Sequence, residues 1–265
     1  MAISDAELER YARHIILPEV GEAGQEKLLR SKVLVVGAGG LGSPVLLYLA
    51  AAGVGTLGVV DDDEVELSNL QRQIVHASDR IGSAKVESAA RTLAALNPEV
   101  RVIAKKTRLK AENAMALIAG YDLVVDGSDN FATRYLVNDA CFFARIPLVA
   151  AALLSFDGQL STFKAYLPGE HPCYRCLFPA PPPADLIPRC EEAGIFGAVA
   201  GVVGSLQAVE TLKELLGLGT GLSGQLLIYD GLTAAVHKIK VPKAPDCALC
   251  GPHATLTSLA HHKAA

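Results

Sequence analysis

The chain has 265 residues, is 51% hydrophobic and carries a formal charge of −4. That length supports a sizeable core in one large or two small domains. The acidic balance gives no general attraction for nucleic acid, and nucleic-acid substrates are not expected. Met1 to Arg13 is polar, and the uncharged stretch Ala193 to Val209 is too short and glycine-rich for a membrane span. A cytoplasmic protein is expected. Its six cysteines then face a reducing environment, where close pairs signal metal binding or catalysis.

Ser4 caps an expected short amphipathic helix with Asp5, Glu7 and Glu9 in its first turns. Residues 1–30 read as a helical arm carrying Arg10, Tyr11, Arg13 and His14, and on composition alone as a solvated one. The organising stretch runs from Lys32 to Asp63. Val33 to Val36 predicts a buried strand, Ser43 to Ala52 a helix, and Leu57 to Val60 a second strand ending at Asp61. Gly37, Gly39 and Gly42 lie between the first strand and the helix at GxGxxG spacing. Glycines there let the backbone approach a phosphate, and the helix N-terminus favours an anion. Asp61 stands where a carboxylate accepts hydrogen bonds from ribose hydroxyls. The motif alone favours NAD(P) over ATP, and no GxxxxGK[ST] loop occurs.

Glu66 to Gln73 is too polar for core and reads as a loop or frayed helix near the nucleotide. Ser83 starts a helix to about Leu96. Lys85 in its first turn opposes the helix dipole, which makes sense beside a bound anion. Val100–Ala104 is a third strand, Ala111–Ala119 a helix, Leu123–Val125 a fourth strand, Phe131–Ala144 a helix and Pro147–Ala151 a fifth strand. Asp129 follows the fourth strand, where ligands gather in open α/β sheets; its other reading is a cap for the next helix. Beyond this point the β/α rhythm stops. Strands at Leu160–Tyr166 and Gln225–Tyr229 predict an antiparallel extension of the same sheet. Phe178–Pro188 is proline-rich and reads as a mobile loop. Ala198–Leu216 is a nearly uncharged helix, buried or at a subunit interface, and the last dozen residues read as frayed.

Cys173-Tyr174-Arg175-Cys176 and Cys247-Ala248-Leu249-Cys250 are two CxxC knuckles flanked by Pro172, Pro245 and Pro252. Four thiolates suit a closed structural zinc site. Two redox-active pairs are the alternative, and the gap between the pairs is longer than in a zinc ribbon. Cys141 sits mid-helix and reads as packed core. Cys190 stands apart, as a reactive thiol or an incidental cysteine. The fold class expected is α/β, a Rossmann-like parallel sheet extended by antiparallel strands, with a four-cysteine zinc site.

The glycine loop GAGGLG, the run SNLQRQ at 68–73, Lys85, SDN at 128–130 and the CxxC pairs occur together here. In that combination, from RYARHIILPEVG at 10–21 to the last knuckle, the chain resembles the E1-like adenylyltransferases of the MoeB/ThiF family that activate ubiquitin-fold sulfur carriers. The resemblance is to bacterial members without a rhodanese domain and to the front part of the eukaryotic molybdopterin synthase sulfurtransferases; no rhodanese domain is expected here. It implies one adenylation domain over residues 1–265, with a nucleotide-binding half at 31–152 and a carrier-binding and zinc half at 153–265. It implies ATP and Mg²⁺ alongside Zn²⁺, and a reaction joining the carrier's C-terminal glycine carboxylate to AMP with release of pyrophosphate. By resemblance, Gly39, Gly40 and Gly42 cradle the nucleotide and Asp61 holds the ribose. Asn69, Arg72 and Lys85 neutralise the triphosphate, and Asp129 holds Mg²⁺. Arg13 matches an arginine that reaches into a neighbouring subunit's site, implying a homodimer. Cys190 matches a cysteine that bonds covalently to the carrier in some relatives. Partners implied are a Gly-Gly-ended carrier and a sulfurtransferase or cysteine desulfurase as sulfur donor. A nicotinamide oxidoreductase, an E1-like enzyme acting on tRNA and a zinc-stabilised scaffold are the competing readings; which pathway is served, molybdopterin, thiamin or tRNA thiolation, is open.

Overall fold

The computed structural model describes residues 3–181 and 194–264. Two helices, α1 (Asp5–Ile15) and α2 (Gly21–Arg30), precede the sheet. The start of α1 is fixed by a capping box: the Glu7 N–H donates to Ser4 Oγ at 3.3 Å and the Ser4 N–H to Glu7 Oε2 at 2.8 Å. Tyr11 anchors the helix inward, its hydroxyl accepting from Asn97 Nδ2 at 2.9 Å. The arm is therefore packed on one face and exposed on the other.

The sheet has eight strands in spatial order β3-β2-β1-β4-β5-β6-β7-β8. Its parallel part is β1 (Lys32–Val36), β2 (Thr56–Asp61), β3 (Arg101–Lys106), β4 (Leu123–Asp126) and β5 (Leu148–Leu154). The antiparallel part is β6 (Asp157–Phe163), β7 (Gln225–Asp230) and β8 (Ala235–Lys240). The sequence places β6 three residues late and misses α2 and β8. The strand β8, AVHKIK, is exposed along most of its length, so it lacks the apolar alternation that marks a half-buried strand.

Helices cover both faces of the parallel part. On one side α3 (Gly42–Ala51), α4 (Lys85–Leu96) and α8 (Gly197–Leu216) pack on Val33, Val35, Leu57 and Val59. On the other, α5 (Ala114–Ile118) and α6 (Phe131–Ala144) pack on Leu34, Val36, Val60 and Val124. Alternate residues of β1 thus face opposite layers, as the two-residue period of a strand requires. A short helix α7 (Tyr174–Leu177) opens with the first cysteine pair. The nearly uncharged α8 is core rather than surface: Val199, Ala200, Val203, Gly204, Gln207 and Ala208 are buried, while Val202 and Val209 face outward. Gln207 Nε2 donates to the Asp126 carbonyl at 2.8 Å and the Val149 carbonyl at 3.1 Å, tying α8 to the ends of β4 and β5.

One expectation is overturned. The last dozen residues do not fray as a whole: Leu259–Ala264 forms a 3-10 helix, Leu259 is buried against the α6 side of the core, and His261 and His262 bond to Asp139. No helix among the described residues is long and apolar enough to cross a membrane.

Candidate active site

The strand order reverses between β1 and β4, and connections diverge there to leave a crevice at the carboxyl ends. A cavity of about 330 Å³ opens at this point. Its floor is the glycine turn after β1. Gly37 has φ +92°, a left-handed conformation that L side chains avoid. A side chain at Gly42 would collide with the Gly37 carbonyl, so the turn can fold back onto α3 only with glycine at that position. The turn is held from below by His76, whose Nε2 lies 2.9 Å from the Ala38 carbonyl and whose Nδ1 lies 2.9 Å from Ser88 Oγ. Burial, reinforced by Lys85 and Arg80, pushes the His76 pKa down, opposed by its bond to Ala38; a neutral ring donating through Nε2 fits both bonds.

Asp61 ends β2 and ties the same turn: its Oδ2 accepts the Ala38 N–H at 2.8 Å and its Oδ1 the Asp63 N–H at 2.9 Å. Burial raises the Asp61 pKa, while Lys85 and the two N–H groups pull against that rise. Lys85 is 6% exposed and its Nζ contacts Asp63 Oδ2 at 2.7 Å. The counter-charge for Lys85 in this structure is therefore Asp63.

Of the sequence-derived residues, Gly37, Gly39, Gly40, Asp61, Arg72, Lys85 and Asp129 all line the cavity, and Gly42 shapes the turn beneath it. Asn69 is not among the lining residues; its amide bonds locally, to Ser68 Oγ and to the Glu66 N–H, each at 3.4 Å. Arg13 lies on the exposed face of α1, outside the cavity of its own chain. Cys190 lies outside the described residues. Asp129 is not the cap of α6: that position belongs to Asn130, whose Oδ1 accepts the Thr133 N–H at 2.9 Å.

The structure adds residues that sequence reasoning missed. Asp63, Gln73, Arg108, Ser128 and Arg134 also line the cavity. Arg134 is 9% exposed and sits in the first turn of α6. A buried cation at a helix N-terminus opposes the dipole, so the argument that picked out Lys85 picks out Arg134 as well. Four cations (Arg72, Lys85, Arg108, Arg134) and four carboxylates (Asp61, Asp62, Asp63, Asp129) thus share one cavity wall. Among the described residues, Gln73 Oε1, Ser128 Oγ and Arg134 Nε are buried without hydrogen-bond partners. Orphaned polar atoms cost about 1–3 kcal/mol each, and at a cavity wall they are groups a polar ligand would satisfy. Just behind them Asp126 is fully buried; burial pushes its pKa up, and its Oδ1 accepts the Ser128 N–H at 2.9 Å.

A second cavity of about 290 Å³ adjoins the first, sharing Asp129, Arg134 and Leu153. Its walls are mostly apolar, from Phe131, Ala150, Leu160, Phe163, Tyr174 and Phe178. A polar chamber and an apolar one therefore meet at a carboxylate and a guanidinium.

The four cysteines of the CxxC pairs come together across the chain. Sγ separations are 3.8 Å (Cys173–Cys176), 3.5 Å (Cys173–Cys247) and 3.4 Å (Cys176–Cys250). The cluster could hold a metal ion. Cys141 is buried in α6, as expected of core.

Residues 11–249 match the ThiF family. The sulfur carrier protein adenylyltransferase of Thermus thermophilus is 54% identical over 260 residues, 97% of this chain and 96% of that protein. The SAMP-activating enzyme E1 of Haloferax volcanii is 49% identical over 251 residues, 95% of this chain and 92% of that one. The adenylyltransferase and sulfurtransferase MOCS3 of Sus scrofa is 49% identical over 259 residues, 97% of this chain but 56% of the longer relative. Among solved structures, Escherichia coli MccB superposes with a TM-score of 0.79 at 25% identity, over 92% of this chain and 73% of that one. The matched span takes in every strand of the sheet and the cavity at its switch point, and the chain belongs to the ThiF family.

Proposed function

We propose that this chain joins the C-terminal glycine carboxylate of a ubiquitin-fold sulfur carrier to the AMP of ATP, releasing pyrophosphate and priming the carrier for thiocarboxylation. The observation that carries the reading is the meeting of the two cavities at Asp129 and Arg134. Nucleotide phosphates suit the polar chamber with its four cations, and a glycine-ended peptide suits the apolar one. The relatives from Thermus thermophilus and Haloferax volcanii, named for carrier adenylylation and E1 activation, support the same chemistry.

A terminal carboxylate has a pKa of about 3.5, so it is ionised near neutrality and needs no general base. The barrier is the approach of one anion to another. Arg72, Lys85, Arg108 and Arg134 lower it by offsetting phosphate charge, and the preformed turn at Gly37–Gly42 aligns the nucleotide without reorganisation. In this reading Asp61 holds the ribose and Asn69 turns toward the phosphates when ATP binds. Lys85 exchanges part of its bond to Asp63 for a phosphate oxygen. Asp129 fits Mg²⁺, which is commonly held by one or two carboxylates plus substrate phosphates; when bound, that ion supplies further charge neutralisation.

For the four-cysteine cluster we propose zinc. Tetrahedral zinc with Zn–S bonds of about 2.3 Å implies sulfur separations near those observed, 3.4–3.8 Å. No ligand position is left open, so its role is structural. Arg13 is assigned to the site of a second copy, in a homodimer. Ile16 and Leu17 just beyond it are 66% and 47% exposed, apolar surface that a second copy would cover. A sulfurtransferase or cysteine desulfurase completes the pathway as sulfur donor, in the cytoplasm.

The test is the intact mass of a Gly-Gly-ended carrier after incubation with the protein and ATP. Gain of one adenylyl group, abolished by deleting the last glycine, supports the reading. An unmodified carrier, with NAD rather than ATP raising the melting temperature, would return the site to the oxidoreductases.

A further inference from the structure

Away from the cavity, the α6 carboxylate of Asp139 is fully buried and crowded by cationic and imidazole nitrogens. Its Oδ1 accepts from Asn138 Nδ2 and Arg175 Nε, each at 2.9 Å. Its Oδ2 has Arg175 Nη2 at 2.6 Å, His261 Nε2 at 2.9 Å and His262 Nε2 at 2.8 Å. Three close nitrogens exceed the two lone pairs of one carboxylate oxygen.

The orientation of His261 is informative. Its Nδ1 lies 2.9 Å from the Ser258 carbonyl, which can only accept, so Nδ1 carries the hydrogen. Its Nε2 faces an Arg175 N–H at 3.2 Å, which can only donate. A ring bonded in this way presents its Nε2 lone pair, the tautomer and backbone anchor found in metal-ligating histidines. The same Nε2 also lies 2.9 Å from Asp139 Oδ2, so two acceptor atoms share the one Arg175 N–H, a close approach that a proton or a metal ion between them would relieve. The Asp139, His261 and His262 ligand atoms all lie within 4.8 Å of one another.

We propose that Asp139, His261 and His262 form a second divalent transition-metal site, separate from the four cysteines, whose occupation clamps the C-terminal 3-10 helix onto α6. Two imidazoles and a carboxylate suit zinc, cobalt or nickel rather than magnesium. One cation shared by both Nε2 atoms and Oδ2 relieves the crowding on that oxygen. Arg175 opposes the incoming charge but keeps the carboxylate ionised and fixed.

Cobalt(II) alone, added to the full-length zinc-loaded protein, is the probe. Expected is one equivalent bound with weak visible d–d bands and no intense thiolate-to-cobalt charge transfer, together with slowed amide exchange at residues 259–264. The double variant His261→Gln, His262→Gln should lose both signals, its affinity falling by more than the about 10–100-fold typical of losing an outer partner. Its four cysteines still bind one equivalent of metal, which verifies the fold. Intense charge-transfer absorption in the wild type would place the cobalt at the cysteines. That result, an absence of cobalt binding, or unchanged binding by the double variant would overturn the proposal.

Discussion

The cavity at the ends of the parallel strands and the four-cysteine cluster gather polar groups by different means. In the cavity, topology does the gathering. Three contributors stand at the ends of strands that hydrogen bonds hold in register: Gly37 after β1, Asp61 at the end of β2 and Asp129 after β4. In the cluster, no sheet register aligns the sulfurs. Cys173 and Cys247 are 74 residues apart and meet within a small satellite core of Ala165, Cys173, Cys247 and Leu249. The frame of the first region is held by strand pairing without a ligand; the second depends on what its sulfurs bind. Substitutions in the cavity should therefore damage chemistry and spare the fold, and substitutions in the cluster should do the reverse.

The largest expected effect is in the cavity. Lys85→Ala and Asp129→Ala should each cut ATP–pyrophosphate exchange by about 10²–10³-fold, the scale of losing one preorganised electrostatic group. Melting temperatures should stay near the wild-type value, because among the described residues the Asp129 side chain bonds to neighbouring Asn130 and the Lys85 side chain to exposed Asp63. A large drop in melting temperature for both would erase the contrast drawn above.

Next comes the cluster. Cys247→Ser, or prolonged chelation, should cost several kcal/mol and lower the melting temperature on the order of 10 °C. Exchange measured at low temperature should persist, since the cysteines lie outside both cavities.

A third experiment separates the two chains of the proposed homodimer. Arg13→Ala and Lys85→Ala, each inactive alone, should recover about a quarter of wild-type activity when unfolded and refolded together, from the one intact site of each mixed dimer. Recovery would be absent if Arg13 acted within its own chain, and Arg13→Ala alone would keep wild-type activity if Arg13 took no part.

The smallest effect is a pH dependence beneath the glycine turn. The folded-state pKa of His76 lies below its unfolded value of about 6.5. The unfolded chain then binds the extra proton as pH falls below that value, so stability is lost on acidification. His76→Gln should shallow the decline in melting temperature between pH 7 and pH 5. An unchanged slope would mean the histidine titrates alike in both states.

Legibility in the sequence follows the same division. The parallel half was readable because its signals are local: β-branched runs, a glycine spacing and an acid at a strand tip. The five parallel strands and the cysteine pairs stand where spacing put them, with shifts of one to three residues at most ends. What the sequence hid depends on distant contacts. Arg134 is legible only as a first-turn cation of the expected helix; the fold is what brings it to the same cavity wall as Asp129. The strand β8 lacks an apolar period because both of its faces are largely exposed, a matter of what packs on the sheet there. The C-terminal turn reads as frayed because its partner, Asp139, is 122 residues away from His261.

The central claim is that ATP and a peptide carboxylate meet where the two cavities join. ATP–pyrophosphate exchange, run with and without a Gly-Gly-ended ubiquitin-fold carrier, tests it most directly. The account predicts exchange only when the carrier is present, and its loss in Arg134→Ala. Exchange that ignores the carrier, or none with any carrier offered, would contradict it.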